Sequence, residues 1–214
     1  MDKTRRRTAL VTGASGGFGR LICLELARNG FYVIGTIRDE TKKGALLEAA
    51  KHLGVGERVE TVPLDVTRED AGAIVAAVMN RIGTLDVLVN NAGYASGGFT
   101  EDIPMDEWIK QFETNVFGLI RVTKAVLPYM REAGRGTIIN MSSISGRIAF
   151  PGLGPYAASK FAVEGFSEAL RLEMQPYGVH VVLVEPGSYK TEIWAKGLAA
   201  FGADPDSPYG DKTE

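Results

Sequence analysis

Short apolar runs alternate with segments of helical periodicity along the whole chain. The runs Thr8 to Thr12, Tyr32 to Ile37, Val59 to Pro63, Val87 to Asn90, Thr137 to Met141 and His180 to Glu185 are rich in aliphatic and β-branched residues. Near-continuous hydrophobicity over so few residues predicts strands covered on both faces. Between them, apolar positions recur at helical spacing over Gly17 to Asn29, Lys42 to His52, Arg68 to Ile82, a long interrupted stretch from Met105 to Arg131, and Tyr156 to Tyr177. Each connection is long enough for a helix, and right-handed crossovers then give a doubly wound parallel sheet.

The predicted fold is therefore α/β of the Rossmann type, in three layers α/β/α and in one domain, 1–214. Ligands on such sheets bind beyond the carboxyl ends of the strands, where the strand order reverses. The unusual residues fall at those ends: Thr12-Gly13, Asn90-Asn91-Ala92-Gly93, Ser142-Ser143 and Pro186-Gly187. The segment 195–214 lacks periodicity and is expected to form a loop over the substrate.

Composition narrows the function classes. A chain of 214 residues, 45% hydrophobic, can bury a sizeable core. A net charge of -2 gives no footprint for nucleic acid, because the basic cluster of Lys3 and Arg5 to Arg7 is short. The apolar run that follows, Ala9 to Val11, is too short for an export segment, and no stretch is long enough to span a bilayer. The single cysteine, Cys23, sits among Leu21, Ile22 and Leu24 and reads as core packing, so a reducing, cytoplasmic location is expected.

Gly13-Ala14-Ser15-Gly16-Gly17-Phe18-Gly19 joins a strand to a helix. Such a turn lets the backbone approach a pyrophosphate at a positive helix start, although glycines also serve to pack a helix on a strand. The same residues spell G-x-S-x-G around Ser15, the pattern of a hydrolase nucleophile elbow. That reading needs a histidine base, and His52 and His180 fall inside a helix and at the entry to a strand.

Tyr156 and Lys160 stand four residues apart on one helix face, with β-carbons roughly 5–6 Å apart. A close positive charge can lower a phenol pKa by about 1–3 units, toward acid–base chemistry at neutral pH. Ser143 ends a strand thirteen residues earlier, and Asn115 is a polar residue inside the long helix. Taken alone, Ser143 reads as a helix cap and Asn115 as a buried amide; together with the glycine turn they form a hydride-transfer site without a metal.

On these residues the chain resembles the short-chain dehydrogenase/reductase family over essentially its whole length. The matching motifs are Thr12-Gly13-x-x-x-Gly17-x-Gly19, Asp65, Asn90-Asn91-Ala92-Gly93, Asn115, Ser143, Tyr156-x-x-x-Lys160 and Pro186-Gly187-x-x-x-Thr191. The resemblance implies an oxidoreductase interconverting an alcohol with a ketone or aldehyde. Tyr156 would be the general acid/base, Ser143 would orient the substrate oxygen, and Lys160 would acidify Tyr156 and hold the nicotinamide ribose. Asn115 would anchor a proton-relaying water. Gly13, Ser15, Gly17, Phe18 and Gly19 would cradle the cofactor phosphates, Asp65 and Val66 would meet adenine, and Asn91, Ala92 and Gly93 would line the cofactor. Pro186, Gly187 and Thr191 would meet its nicotinamide end, while Asn90 and Thr12 stitch the central strands.

The second predicted strand ends in Ile37-Arg38-Asp39. Ile37 stands where NAD-dependent relatives carry a carboxylate, and Arg38 offers a charged fork suited to a 2′-phosphate, so NADP(H) is expected over NAD(H). The alternative is a solvated arginine paired with Asp39 or Glu40.

The stretch Gly165 to Arg171, with Val184-Glu185-Pro186-Gly187, is similar to retinol and 17β-hydroxysteroid dehydrogenases, implying an apolar substrate. Tyr94, Phe150, Leu153, Pro155, Ile193, Trp194 and Leu198 are candidates to line its pocket, and core packing accounts for any one of them equally well. Relatives continue into a further helix and a seventh strand, so the resemblance implies a longer native chain, with His180 to Glu185 left here as an open sheet edge. It also implies a homo-oligomer, a dimer or tetramer. Two other readings stay open: a nicotinamide-binding sensor or scaffold without turnover, and an epimerase, whose glycine loop would be spaced differently.

Overall fold

The computed structural model describes residues 5–187 together with residues 208 and 209. Six strands, β1 (Thr8–Val11), β2 (Tyr32–Ile37), β3 (Val59–Pro63), β4 (Val87–Asn90), β5 (Gly136–Met141) and β6 (Val179–Val184), pair in parallel in the order β3-β2-β1-β4-β5-β6. The chain steps outward from β1 to β3, then returns to the other side of β1 for β4. That reversal opens a crevice beyond the carboxyl ends of β1 and β4.

Strand alternation divides the core between the two faces. Ala9, Val11, Val33 and Ile37 pack with Cys23 and Ala27 of α1 (Gly17–Arg28) and Leu46 and Ala50 of α2 (Lys43–His52). Leu10, Ile34, Leu88 and Ile138 pack on the other face against α3 (Ala71–Ile82), α5 (Leu119–Ala133) and α6 (Gly154–Met174). Full burial of each such large side chain contributes about 1.5–3 kcal/mol. Along β6, the edge strand among the described residues, Val179 and Val181 are buried, while Val182 and Val184 are exposed. No helix among the described residues is long and apolar enough to cross a membrane.

The elements fall where the sequence pattern predicts, with three instructive differences. Helix α3 starts at Ala71 rather than Arg68, because the Asp65 carboxylate accepts from the Thr67 amide at 3.0 Å and its hydroxyl at 2.7 Å, folding 65–70 into turns. Helix α6 reaches back to Gly154, with Pro155 in its first turn, where a missing N–H costs nothing. The stretch from Met105 to Arg131 is resolved into α4 (Met105–Phe112), a π-helical turn (Glu113–Gly118) and α5.

Candidate active site

The turn leaving β1 holds Gly13 at φ +70°, and a Cβ there would lie 2.9 Å from the Cα of Ala92. Conformation and close approach both require glycine. At Gly19 a Cβ would lie 2.2 Å from the carbonyl oxygen of Gly13, so glycine lets α1 begin pressed against the turn. The Thr12 hydroxyl accepts from the amides of Asn91 and Ala92 at 2.9 Å, and the Asn91 side chain donates to the carbonyls of Thr12 at 2.9 Å and Gly13 at 3.2 Å. Asn91 thus joins Thr12 in stitching β1 to β4.

A cleft of about 270 Å³ opens there. Of the residues singled out in the sequence, Gly13, Ser15, Gly17, Phe18, Arg38, Asp65, Val66, Asn91, Ala92 and Gly93 line it, with Tyr94. Gly16, Leu64 and Thr114 line it too and were missed. Leu64 had a readable signal, since it directly follows β3 at a strand carboxyl end. Gly19, Tyr156, Lys160, Pro186 and Gly187 are not part of its wall. Thr191, Ile193, Trp194 and Leu198 lie outside the described residues, as does the 195–214 loop apart from 208 and 209.

The lining residues fit a dinucleotide. The first turn of α1 carries no acidic residue, so its unpaired N–H groups and positive end are open to phosphate. Arg38 forms no ion pair among the described residues. Asp39 instead accepts from the Thr41 amide at 3.1 Å and hydroxyl at 2.6 Å and lies 3.8 Å from Lys42, and Glu40 pairs with Lys43 at 3.8 Å.

Beside the cleft, α6 presents Tyr156 and Lys160, both buried. The Lys160 ammonium donates to the carbonyl oxygen of Met141 at 2.8 Å and lies 5.7 Å from the centre of the Tyr156 ring. Ser143, just past β5, accepts from the Ser145 amide at 3.1 Å and bonds to the Tyr156 hydroxyl. Burial raises the Tyr156 phenol above its ordinary range, and the Ser143 bond pulls it back. The acidification of Tyr156 expected from Lys160 is not seen: the two influences on the phenol are its burial, which prevails, and the Ser143 bond. Burial pushes the Lys160 ammonium down to about 8, and Glu164 acts against that shift. The turn after β6 is fastened to the same place, with the Ile144 amide donating to the Pro186 carbonyl at 3.1 Å.

Asn115 sits in the π-helical turn, a widened turn often found at functional sites. Its carbonyl oxygen accepts from the Tyr94 amide at 3.1 Å, and its amide donates to the Tyr94 carbonyl at 3.0 Å and to the Ser159 hydroxyl at 3.1 Å. It therefore links the segment after β4 to α6. The Asn90 side-chain amide donates to the Thr123 hydroxyl and to Oδ1 of Asn140, each at 2.9 Å, which ties β4 to β5 and α5.

Ser15 lines the cleft without a histidine partner: His52 ends α2 and His180 is the second residue of β6, both at the opposite end of the sheet. On the substrate side, Phe150 is exposed and Leu153 half-buried. Tyr209 stacks on Phe99 at 4.4 Å and donates to Glu101 at 3.0 Å.

The profile of the short chain dehydrogenase family matches residues 7–200. The chain is 50% identical to the uncharacterized oxidoreductase YusZ of Bacillus subtilis, covering 95% of this chain and 73% of the relative. It is 43% identical to a 3-ketodihydrosphingosine reductase of Bacteroides thetaiotaomicron, over 85% of this chain and 64% of that protein. Retinol dehydrogenase 8 of Bos taurus is 39% identical over 94% of this chain and 67% of its own length. Among solved structures, an actinorhodin polyketide ketoreductase with NADPH superposes with a TM-score of 0.86 at 35% identity, covering 99% of this chain and 82% of the other.

Proposed function

The chain belongs to the short-chain dehydrogenase family, and we propose that it transfers a hydride between NADP(H) and an apolar alcohol or carbonyl compound. The observation that carries this reading is the bond between the Ser143 and Tyr156 hydroxyls, made beside the glycine-lined cleft and near a buried Lys160.

When bound, the nicotinamide supplies or accepts the hydride; the protein's own residues handle the proton and the geometry. Ser143 donates to the substrate oxygen and holds it against Tyr156. Tyr156 gives its hydroxyl proton to that oxygen in reduction and takes it back in oxidation. Lys160, whose ammonium lies 5.7 Å from the centre of the Tyr156 ring, would hold the cofactor's ribose, and its charge would favour phenolate as the proton leaves. Asn115 fixes the Tyr94 backbone against α6 through Ser159, which steadies the helix carrying Tyr156.

The 2′-phosphate preference rests on Arg38, which lines the cleft and forms no ion pair among the described residues, while Asp39 turns away to cap the following turn. An apolar substrate is supported by Tyr94 and Leu153 near the active end and by the 3-ketodihydrosphingosine reductase and retinol dehydrogenase 8 among the relatives.

A panel of long-chain ketones, aldehydes and alcohols, followed by nicotinamide absorbance with NADPH, NADP+, NADH and NAD+, tests the reading. Turnover of apolar members with the phosphorylated cofactor is expected. Tight NADPH binding with no turnover of any member would instead establish a sensor.

A further inference from the structure

Tyr156, Lys160 and Glu164 follow one another at four-residue spacing and so share one face of α6. Glu164 is 5% exposed, and neither carboxylate oxygen has a hydrogen-bond partner among the described residues. Burying a carboxylate costs several kcal/mol unless charge compensates it. Two cations are available. Arg147 lies 3.1 Å away, close enough for an ion pair but not aligned for a hydrogen bond. Its hydrogen bonds go to Glu185, from Nε at 3.2 Å and from a terminal nitrogen at 3.1 Å. Lys160 is the other, one turn back along the helix.

The turn carrying Ser143 is pressed onto this carboxylate. A Cβ at Gly146 would lie 3.2 Å from a Glu164 carboxylate oxygen and 2.7 Å from the Ser142 hydroxyl. No side chain therefore intervenes between the serine turn and Glu164.

We propose that Glu164 is a positioning residue for Lys160, supplying from inside the protein the negative charge that keeps the buried ammonium in place to hold the cofactor ribose and the Tyr156 phenol. The role extends the hydride-transfer reading, on which it rests. Burial alone pulls Lys160 down, and Glu164 is the group that opposes it. The other elements packed against this face supply no competing anion of equal reach. The π-helical turn offers the uncharged Asn115, its Glu113 being paired with Arg121, β5 the Met141 carbonyl, and the serine turn Arg147. Glu168 and Glu185 lie beyond Arg147, and on α4 Glu107 is paired with Lys110 at 2.7 Å.

The alternative is purely structural: Glu164 would merely pin Arg147 and the serine turn. The two roles separate in the titration of Lys160, read by carbon-13 NMR of the lysine-labelled 214-residue chain, with the resonance assigned by its loss in Lys160→Met. Glu164→Gln should lower the Lys160 pKa by about one unit or more, and Glu164→Asp, which keeps the charge, should hold most of it. Glu164→Met provides a second charge-free variant should Gln fold poorly. In steady state with NADPH and a substrate found in the panel, the alkaline limb of kcat should move to lower pH by the same amount in Glu164→Gln. An unmoved Lys160 titration overturns the proposal, even if melting temperature falls. A moved titration in a chain that turns over no substrate supports the proposal and counts against hydride transfer.

Discussion

The ammonium of Lys160 rests on the carbonyl oxygen of Met141, 2.8 Å away, where almost no solvent reaches it. Met141 is the last residue of β5, two before Ser143. One backbone oxygen thus fixes the spacing between the serine turn and the helix bearing the tyrosine.

That placement destabilises the protein at neutral pH. The folded-state pKa of Lys160 is pushed from the ordinary 10.5 to about 8 by burial. Below pH 8 the lysine is charged in both states and the folded chain bears the full penalty; between 8 and 10.5 the penalty fades as the folded lysine loses its proton. Lys160→Met is expected to raise the melting temperature at pH 7, on the order of 2–4 °C per kcal/mol relieved, and to abolish turnover. Calorimetry at pH 7 and pH 9.5 should show the gain shrinking; a variant less stable than the parent at pH 7 would contradict the sign.

Tyr156→Phe removes the transferable proton and leaves the cleft walls intact. Turnover should fall by about 10²–10⁴-fold, with cofactor affinity little changed. Stopped-flow turnover and fluorescence titration with NADPH measure the two separately, and a Phe variant retaining most of its activity would rule out the proton-transfer role.

Arg38→Ala takes away the charged fork facing the cleft. Charge-assisted hydrogen bonds contribute roughly 1.5–3 kcal/mol, so NADPH should bind about one to two orders of magnitude more weakly while NADH barely changes. Calorimetric dissociation constants for both cofactors decide it, and an unaltered ratio between them would remove the basis for the phosphate preference.

Gly19→Ala forces a methyl to within 2.2 Å of the Gly13 carbonyl, whereas a Cβ at Gly16 meets nothing within 4 Å. Overpacking of this kind costs typically ~1–3 kcal/mol. Urea unfolding without cofactor should show that loss for Gly19→Ala and a much smaller change for Gly16→Ala; equal effects would mean that glycine serves only flexibility here.

The strands were legible because a sheet covered on both faces writes itself as apolar runs, and the crevice because Gly13, Asn91 and Ser143 each follow such a run. Pro155 was a readable helix start that periodicity alone passed over. Other features left no local mark. Glu164 has the sequence context of a solvated helix residue, and only the approach of Gly146 and Arg147 buries it. Arg147 gathers Glu164 and Glu168 of α6 and Glu185 after β6, a meeting that no window of residues contains. The acidity of Tyr156 was expected from Lys160 nearby, but desolvation depends on how deeply the tyrosine sits, which spacing does not encode.

The π-helical turn at Glu113–Gly118 also constrains how this chain can change length. Gln111 ahead of it accepts from the Ser96 amide and donates to the Tyr94 carbonyl, both at 2.7 Å, while Asn115 within it grips both backbone groups of Tyr94. Loss of one residue from the turn would restore ordinary helical register and swing α4 by about 100° relative to α5, and one of the two grips would have to let go. Gaps between related proteins usually collect in loops; here a single-residue gap would fall inside a helix, and it could arise only together with a change in the 94–96 segment that the two amides hold.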